Sequence, residues 1–274
     1  MNVIGLPMCH GIRNEGTSPL TVKHLDTLVS IAFEMEFNSI TYDDLDSWFN
    51  NRIPLPNNPI MFDFDHPMKN ILDKVNPILS NYGYVGNLFM YTKPYDDRYP
   101  KDLPWKTTEP HLSWNELRQL KDLGWNIGAH TISHPNLSDL SIKDPTGEQL
   151  RVEIERSNQT IKDNLGFYPK DFAFTGISWS SNAEREIRRH YRFGRLWITG
   201  SNYNVDGHNI RYADLVGING ADELDGGPPY EARYITESTD RYKIPSMELQ
   251  ALIYEPLNFR RYLEMATDEN NTSN

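Results

Sequence analysis

Two histidines four residues apart, His130 and His134 in the run His-Thr-Ile-Ser-His, and two aspartates two apart, Asp63 and Asp65, are the side chains best suited to joint chemistry. The histidine pair follows an apolar segment at 125–129 and precedes Pro135, which predicts a turn at a strand end where both imidazoles can converge on one cation. Thr131 and Ser133 suit such a turn. The aspartates end the otherwise apolar segment 60–64, where a carboxylate is costly to bury unless a metal, a partner or a proton neutralises it. Residues i and i+2 of a strand face the same side, so one carboxylate can reach a metal while the other serves as base. Spacing alone carries little weight: 8 His in 274 residues give about 0.2 such histidine pairs by chance, and roughly one or two Asp-x-Asp pairs are expected in this chain. A second pair, Asp44 and Asp46, follows Thr41 in the pattern of a capped helix start and reads as structural.

The elements that must position these groups alternate along the chain. A strand over 3–8 precedes a helix ending near residue 37, whose apolar face carries Val22, Leu25, Leu28, Val29, Ala32 and Phe33. A short strand at 39–41 and a Pro/Asn-rich connection at 50–59 lead to the strand 60–64, which runs into Asp65, His66 and Pro67. Ile71, Leu72, Val75, Ile78 and Leu79 share one face of the next helix, and a strand follows at 87–91. The stretch 92–110 has no apolar period and reads equally as cleft lining or as a surface excursion. Ser113 and Glu116 form a capping box that starts a helix ending at Gly124, and the strand 125–129 then delivers His130. A helix at 146–165 closed by Gly166, a strand at 171–174, a charged helix at 183–190 and a strand at 196–199 follow. Residues 206–230 read as a glycine-rich loop, 256–266 as a last helix, and 268–274 as a flexible polar tail on a single domain spanning 1–267. This alternation is that of an α/β protein with a mostly parallel sheet, in which chemistry sits at the strand ends.

Composition narrows the function classes. The chain has 274 residues, 38% of them hydrophobic, and a formal net charge of −11 without any basic run, which argues against nucleic acid as partner. No apolar run approaches the ~18 residues that span a bilayer, so a membrane-integral protein is not expected. The single cysteine, Cys9, rules out an internal disulfide framework and points to a reducing compartment. Together with the lack of a leader pattern in the first sixteen residues, this gives a cytoplasmic expectation.

The order of these features resembles the polysaccharide deacetylase family, also called the NodB-homology or carbohydrate esterase 4 family. The resemblance rests on Phe62-Asp63-Phe64-Asp65 before a helix, the strand at 87–91, the helix at 113–124, and Gly128-Ala129-His130-Thr131-Ile132-Ser133-His134-Pro135, and it covers roughly residues 1–180. The family's second motif, His-Ser/Thr-x-x-His, matches fully. Its first motif, Thr-Phe-Asp-Asp-Gly, is replaced by an Asp-x-Asp version. The resemblance implies Asp63 as catalytic base and Asp65, His130 and His134 as ligands of a divalent metal, Zn²⁺ foremost. Pro7-Met8-Cys9-His10-Gly11-Ile12 resembles the segment that opens a permuted branch of the family, which implies His10 as general acid, with His208 as fallback. Without the family, a strand-end histidine such as His10 reads as structural. The third motif's Arg and Pro-Tyr are absent from 172–177, where the Gly176 backbone N–H is the candidate oxyanion donor and Trp179 the candidate surface for a sugar face.

The fold so implied is a distorted, incomplete (β/α)7 barrel of the NodB type. The implied activity is metal-assisted removal of an acyl group from an N-acylated amino sugar that is free or linked to a nucleotide, lipid or glycan, as in surface-polysaccharide biosynthesis. Two alternatives accompany it: an allantoinase-like hydrolase of cyclic amides, and a catalytically silent carbohydrate-binding relative.

Overall fold

Seven short parallel strands close into a barrel in the order Pro7–Cys9, Ile244–Glu248, Phe193–Ile198, Asp171–Ala173, Asn126–Ala129, Asn87–Met90 and Asp63–Asp65. The last strand returns to the first, with Met8 opposite Asp63 and Cys9 opposite Phe64. This computed structural model describes residues 3–50, 52–97 and 109–271, with side chains to residue 267. The architecture is the expected NodB-type barrel, one strand short of the eight of a complete (β/α) barrel.

Strand periodicity divides the core in two. Leu6, Met8, Met61, Phe89, Ala173, Phe193 and Ile244 pack with Ile40, Tyr42 and Leu45 in one buried cluster. Their neighbours Cys9, Phe64, Leu88, Ile127, Phe172 and Leu196 belong to the larger core shared with the helices. Stepping two residues along the inner face turns Met61 into Asp63 and then Asp65, Phe193 into Arg195, and Met8 into His10. An apolar barrel floor therefore gives way to a polar mouth at the C-terminal strand ends. Gly128 makes room for the Phe89 ring, because a Cβ at residue 128 would lie 2.5 Å from two ring carbons.

Local signals set the helices as expected in most places. The capping boxes Thr41–Asp44 and Ser113–Glu116 both form, opening helices Tyr42–Phe49 and Trp114–Asp122. Gly166 (φ 84°) closes Glu148–Leu165. Five differences have physical causes. The first strand is shorter than read, because Ile4 and Gly5 make only isolated bridges, to Ile235 and Ile60. Residues 71–75 wind as a π-type turn before helix Asn76–Asn81, where Pro77 has no N–H to donate back. The glycine-rich loop read over 206–230 contains strand His208–Arg211, antiparallel to Asn202–Val205, and the helix Tyr212–Val216. The barrel strand Ile244–Glu248 escapes pattern reading because Pro245 interrupts it. The last helix runs Pro256–Asn271, into the segment read as a tail.

Of the loop read at 92–110, Lys93–Tyr95 forms a single 3₁₀ turn and residues 98–108 lie outside the described residues. No helix among the described residues is long and apolar enough to cross a membrane.

Candidate active site

The His130–His134 turn is built by its neighbours. His130 leaves the barrel directly after Ala129, and its Nδ1 lies 2.8 Å from the Ala173 carbonyl on the adjacent strand. A carbonyl only accepts, so Nδ1 carries the proton and Nε2 keeps its lone pair. That Nε2 is buried without a hydrogen-bond partner, 3.8 Å from Asp65 Oδ2. The chain turns back through left-handed Thr131 (φ 67°) and His134 (φ 58°), conformations that cost on the order of 1–3 kcal/mol each for non-glycine residues. Helix Glu148–Leu165 supplies the compensation. Glu153 Oε2 accepts from the N–H groups of Ile132 and Ser133, each at 2.9 Å, and its Oε1 accepts the Ser133 hydroxyl at 2.6 Å. Ser157 donates to the Thr131 carbonyl at 3.0 Å, and the His134 N–H donates to Thr131 Oγ1 at 3.0 Å.

A third imidazole joins the pair. His66, next after Asp65 and also left-handed (φ 72°), has its ring centroid 5.7 Å from that of His130 and 5.1 Å from that of His134. One nitrogen of each of the three rings lies within 4.8 Å of the other two. Burial pushes His130 and His134 down to about 3, and pushes His66 down as well, so all three rings are neutral near pH 7. Three neutral imidazoles gathered this closely are a donor set that Zn²⁺ and related divalent ions take. The residues therefore fit a metal ion, with His66 as a member that reading the sequence did not single out.

The two aspartates occupy different environments. Asp65 lines the mouth of the barrel and accepts a hydrogen bond from Nη2 of Arg195, a fully buried residue of strand Phe193–Ile198. Asp63 sits one inward step deeper and is not among the cleft-lining residues. Its Oδ2 accepts from Tyr42 at 2.8 Å and its Oδ1 from Asn87 at 3.0 Å, while Arg195 Nε lies 3.6 Å from Oδ2. Burial pushes Asp63 up to about 7, with the Asp65 charge adding to the effect and Arg195, Tyr42 and Asn87 opposing it. The arginine missing from 172–177 is thus matched by one from the neighbouring barrel strand, whose inward position the periodicity of 193–198 reveals only once that strand is known.

His10, Arg13, Asp65, His66, His134 and Gly176 line a cleft of about 390 Å³. Trp197 and Glu248 complete the wall around His10: its ring centroid is 4.7 Å from that of His66 and 5.2 Å from that of Trp197, and its Nδ1 lies 3.7 Å from Glu248 Oε2. Trp197 Nε1 donates to the same carboxylate oxygen at 2.7 Å. Burial pushes His10 down to about 3 and Glu248 up to about 7.

Two expected positions lie elsewhere. Trp179 is engaged outside the cleft lining, its indole N–H donating to Glu184 at 2.9 Å and its ring covered by Lys243 at 5.2 Å. It stays there because strand Ser178–Trp179 pairs with Asn202–Val205 outside the barrel. Among the described residues, Trp197 is the tryptophan that lines the cleft. His208 opens an exposed hairpin strand and is also absent from the cleft lining.

Fold and site together define a (β/α)-barrel protein with a cluster of three imidazoles, able to hold a cation, at the C-terminal ends of its strands. Residues 52–192 match the polysaccharide deacetylase family, and the chain belongs to that family. Among solved structures, the Streptococcus pyogenes deacetylase PplD, in complex with acetate, superposes with a TM-score of 0.69 at 12% identity, covering 95% of this chain and 98% of that one. IcaB from Ammonifex degensii gives 0.63 at 11% identity, covering 96% and 98%. The BpsB deacetylase domain from Bordetella bronchiseptica gives 0.64 at 14% identity, covering 90% and 95%. At these identities the likeness is one of fold. No curated protein matches the chain.

Proposed function

We propose that the protein is a metal-dependent N-deacetylase that removes an acyl group, acetate foremost, from an N-acylated amino sugar. The observation that carries this reading is the juxtaposition of three neutral imidazoles with a carboxylate, Asp65, held by a buried guanidinium. His66, His130 and His134 hold the metal, Zn²⁺ in the first instance. The bound ion supplies Lewis acidity, which activates a water and polarises the acyl oxygen.

Roles shift by one position from those the sequence resemblance implied: Asp65 is the base and His66 takes its place as ligand. Asp65 is suited to accept the proton of the attacking water because it lines the cleft and Arg195 fixes its orientation. His10 stands on the other side of His66, where it can hand a proton to the departing amine, which leaves poorly without one; burial keeps the resting ring neutral, so the proton it passes on is the one Asp65 takes from the attacking water. Glu248 steadies the protonated ring through Nδ1. Gly176 lines the cleft, and its backbone N–H is the donor for negative charge developing on the acyl oxygen in this reading. Closure of the barrel by Pro7–Cys9 and Ile244–Glu248 supports one catalytic domain over residues 1–267.

The test separates ligand from base. Metal content of the purified protein is measured beside acetate release from N-acetylglucosamine oligomers. The expected result is one ion per chain in the wild type, loss of metal in His66→Ala and His130→Ala, and retained metal with acetate release reduced at least ~10²-fold in Asp65→Asn. A metal-loaded His66→Ala beside a metal-free Asp65→Asn restores Asp65 as ligand, and wild-type protein that binds metal without releasing acetate defeats the deacetylase reading.

A further inference from the structure

Arg13 differs from the arginines that the fold holds in ion pairs. Arg188, Arg192, Arg211, Arg233 and Arg241 lie within 3.1 Å of a carboxylate, and Arg195 is locked to Asp65. Arg13 has no such partner among the described residues, yet it lines the catalytic cleft three residues after His10 and remains exposed.

Its loop is fixed on both sides. The Asn70 side chain accepts from the Ile12 N–H at 3.0 Å and donates to the Ile12 carbonyl at 3.1 Å, and the Arg13 N–H donates to the Leu20 carbonyl at 3.0 Å. Gln250, itself a cleft residue, donates to the Ser18 carbonyl at 2.6 Å, and the Tyr254 hydroxyl donates to Pro19 at 3.0 Å. Gly11 (φ 81°) makes the turn possible, since a Cβ there would collide with Asn70 Oδ1. An unpaired guanidinium on an anchored loop, at the mouth of a cleft, is a ready receptor for a planar or tetrahedral oxyanion, which its fork of donors matches.

Resting on the deacetylase reading, we infer that the substrate is an acylated amino sugar bearing a negative charge next to the amide-carrying ring, and that Arg13 binds this charge. A carboxylate on a neighbouring uronic acid and a phosphate on the sugar share the required chemistry.

The experiment compares kcat/KM for three acylated sugars: a neutral oligomer, one with an adjacent uronic acid, and an N-acetylamino sugar phosphate. Wild-type protein is expected to prefer at least one charged substrate by about tenfold, corresponding to ~1.4 kcal/mol, and the substrate preferred identifies the source of the charge. The preference is expected to fall to near one in R13Q, through KM, and to invert in R13E, which a purely structural loss would not do. Equal rates on charged and neutral substrates in the wild type, or an undiminished preference in R13Q, overturn the inference. If no substrate is turned over, the deacetylase reading fails separately. Calorimetric binding of the same three compounds to wild type and R13Q then decides the role of Arg13 by the same criteria.

Discussion

Arg195 donates from Nη2 to Oδ1 of Asp65, and both residues are buried, at 0% and 2% exposure. A guanidinium in that position aims the carboxylate, and it also lies 3.6 Å from the Asp63 carboxylate behind it. Removing it leaves buried acids without their counter-charge. Arg195→Gln is expected to cost about 3–5 kcal/mol of stability, the usual penalty for breaking a buried pair, and to lower kcat at least ~10²-fold. Arg195→Lys keeps the charge but loses the fork, and is expected to restore most of the stability while leaving kcat well below wild type. Denaturant unfolding beside steady-state kinetics checks this; a Lys variant with wild-type kcat removes the orienting role.

The His10–Glu248 pair makes a second prediction, about pH. Burial keeps the resting His10 ring neutral and holds Glu248 up to about 7, so the carboxylate 3.7 Å from Nδ1 can steady a ring protonated during turnover only once Glu248 has ionised. Glu248→Gln removes that support at every pH, so kcat is expected to fall above pH 7 and the ascending limb near that pH to disappear, with KM little changed. His10→Ala is expected to lose about 10²- to 10⁴-fold in kcat. An ascending limb near pH 7 that persists in Glu248→Gln assigns it to another group.

The helices were legible because their signals are local: a Thr or Ser with an acid three residues on, or a Gly at the end of an apolar stripe. So was the His130–His134 turn, where strand, pair and proline lie in ten consecutive residues. His66 was equally in view beside Asp65, but an Asp-x-Asp pattern drew attention to the carboxylates, and nothing in one dimension shows that His66 gathers with the other two rings. Arg195 and Glu248 were out of reach. Each gains meaning only when barrel closure brings strands distant in sequence against Asp65 and His10. Glu153 was hidden among the many acids of a charged helix, although it accepts from the backbone of the His130–His134 turn.

Asp63 carries the last prediction, because its environment gives it a thermodynamic signature that a base at the cleft would not share. Its folded-state value of about 7 lies well above the ordinary ~3.9 of an aspartate in the unfolded chain. Between those two values the folded protein keeps a proton that the unfolded chain has lost. The contribution of Asp63 to stability is therefore most favourable at low pH, declines as pH rises from about 4 to about 7, and is constant beyond. The slope cannot exceed ~1.4 kcal/mol per pH unit for one proton. Asp63→Asn preserves an acceptor for Tyr42 and cannot ionise, so its thermal midpoint is expected to fall less than the wild type's between pH 4.5 and 7.5. Because Asp63 lies beneath the cleft rather than in it, this variant is also expected to stay within about tenfold of wild-type kcat, whereas Asp65→Asn does not. Parallel stability curves for Asp63→Asn and wild type, with turnover lost as fully as in Asp65→Asn, return the catalytic base to Asp63.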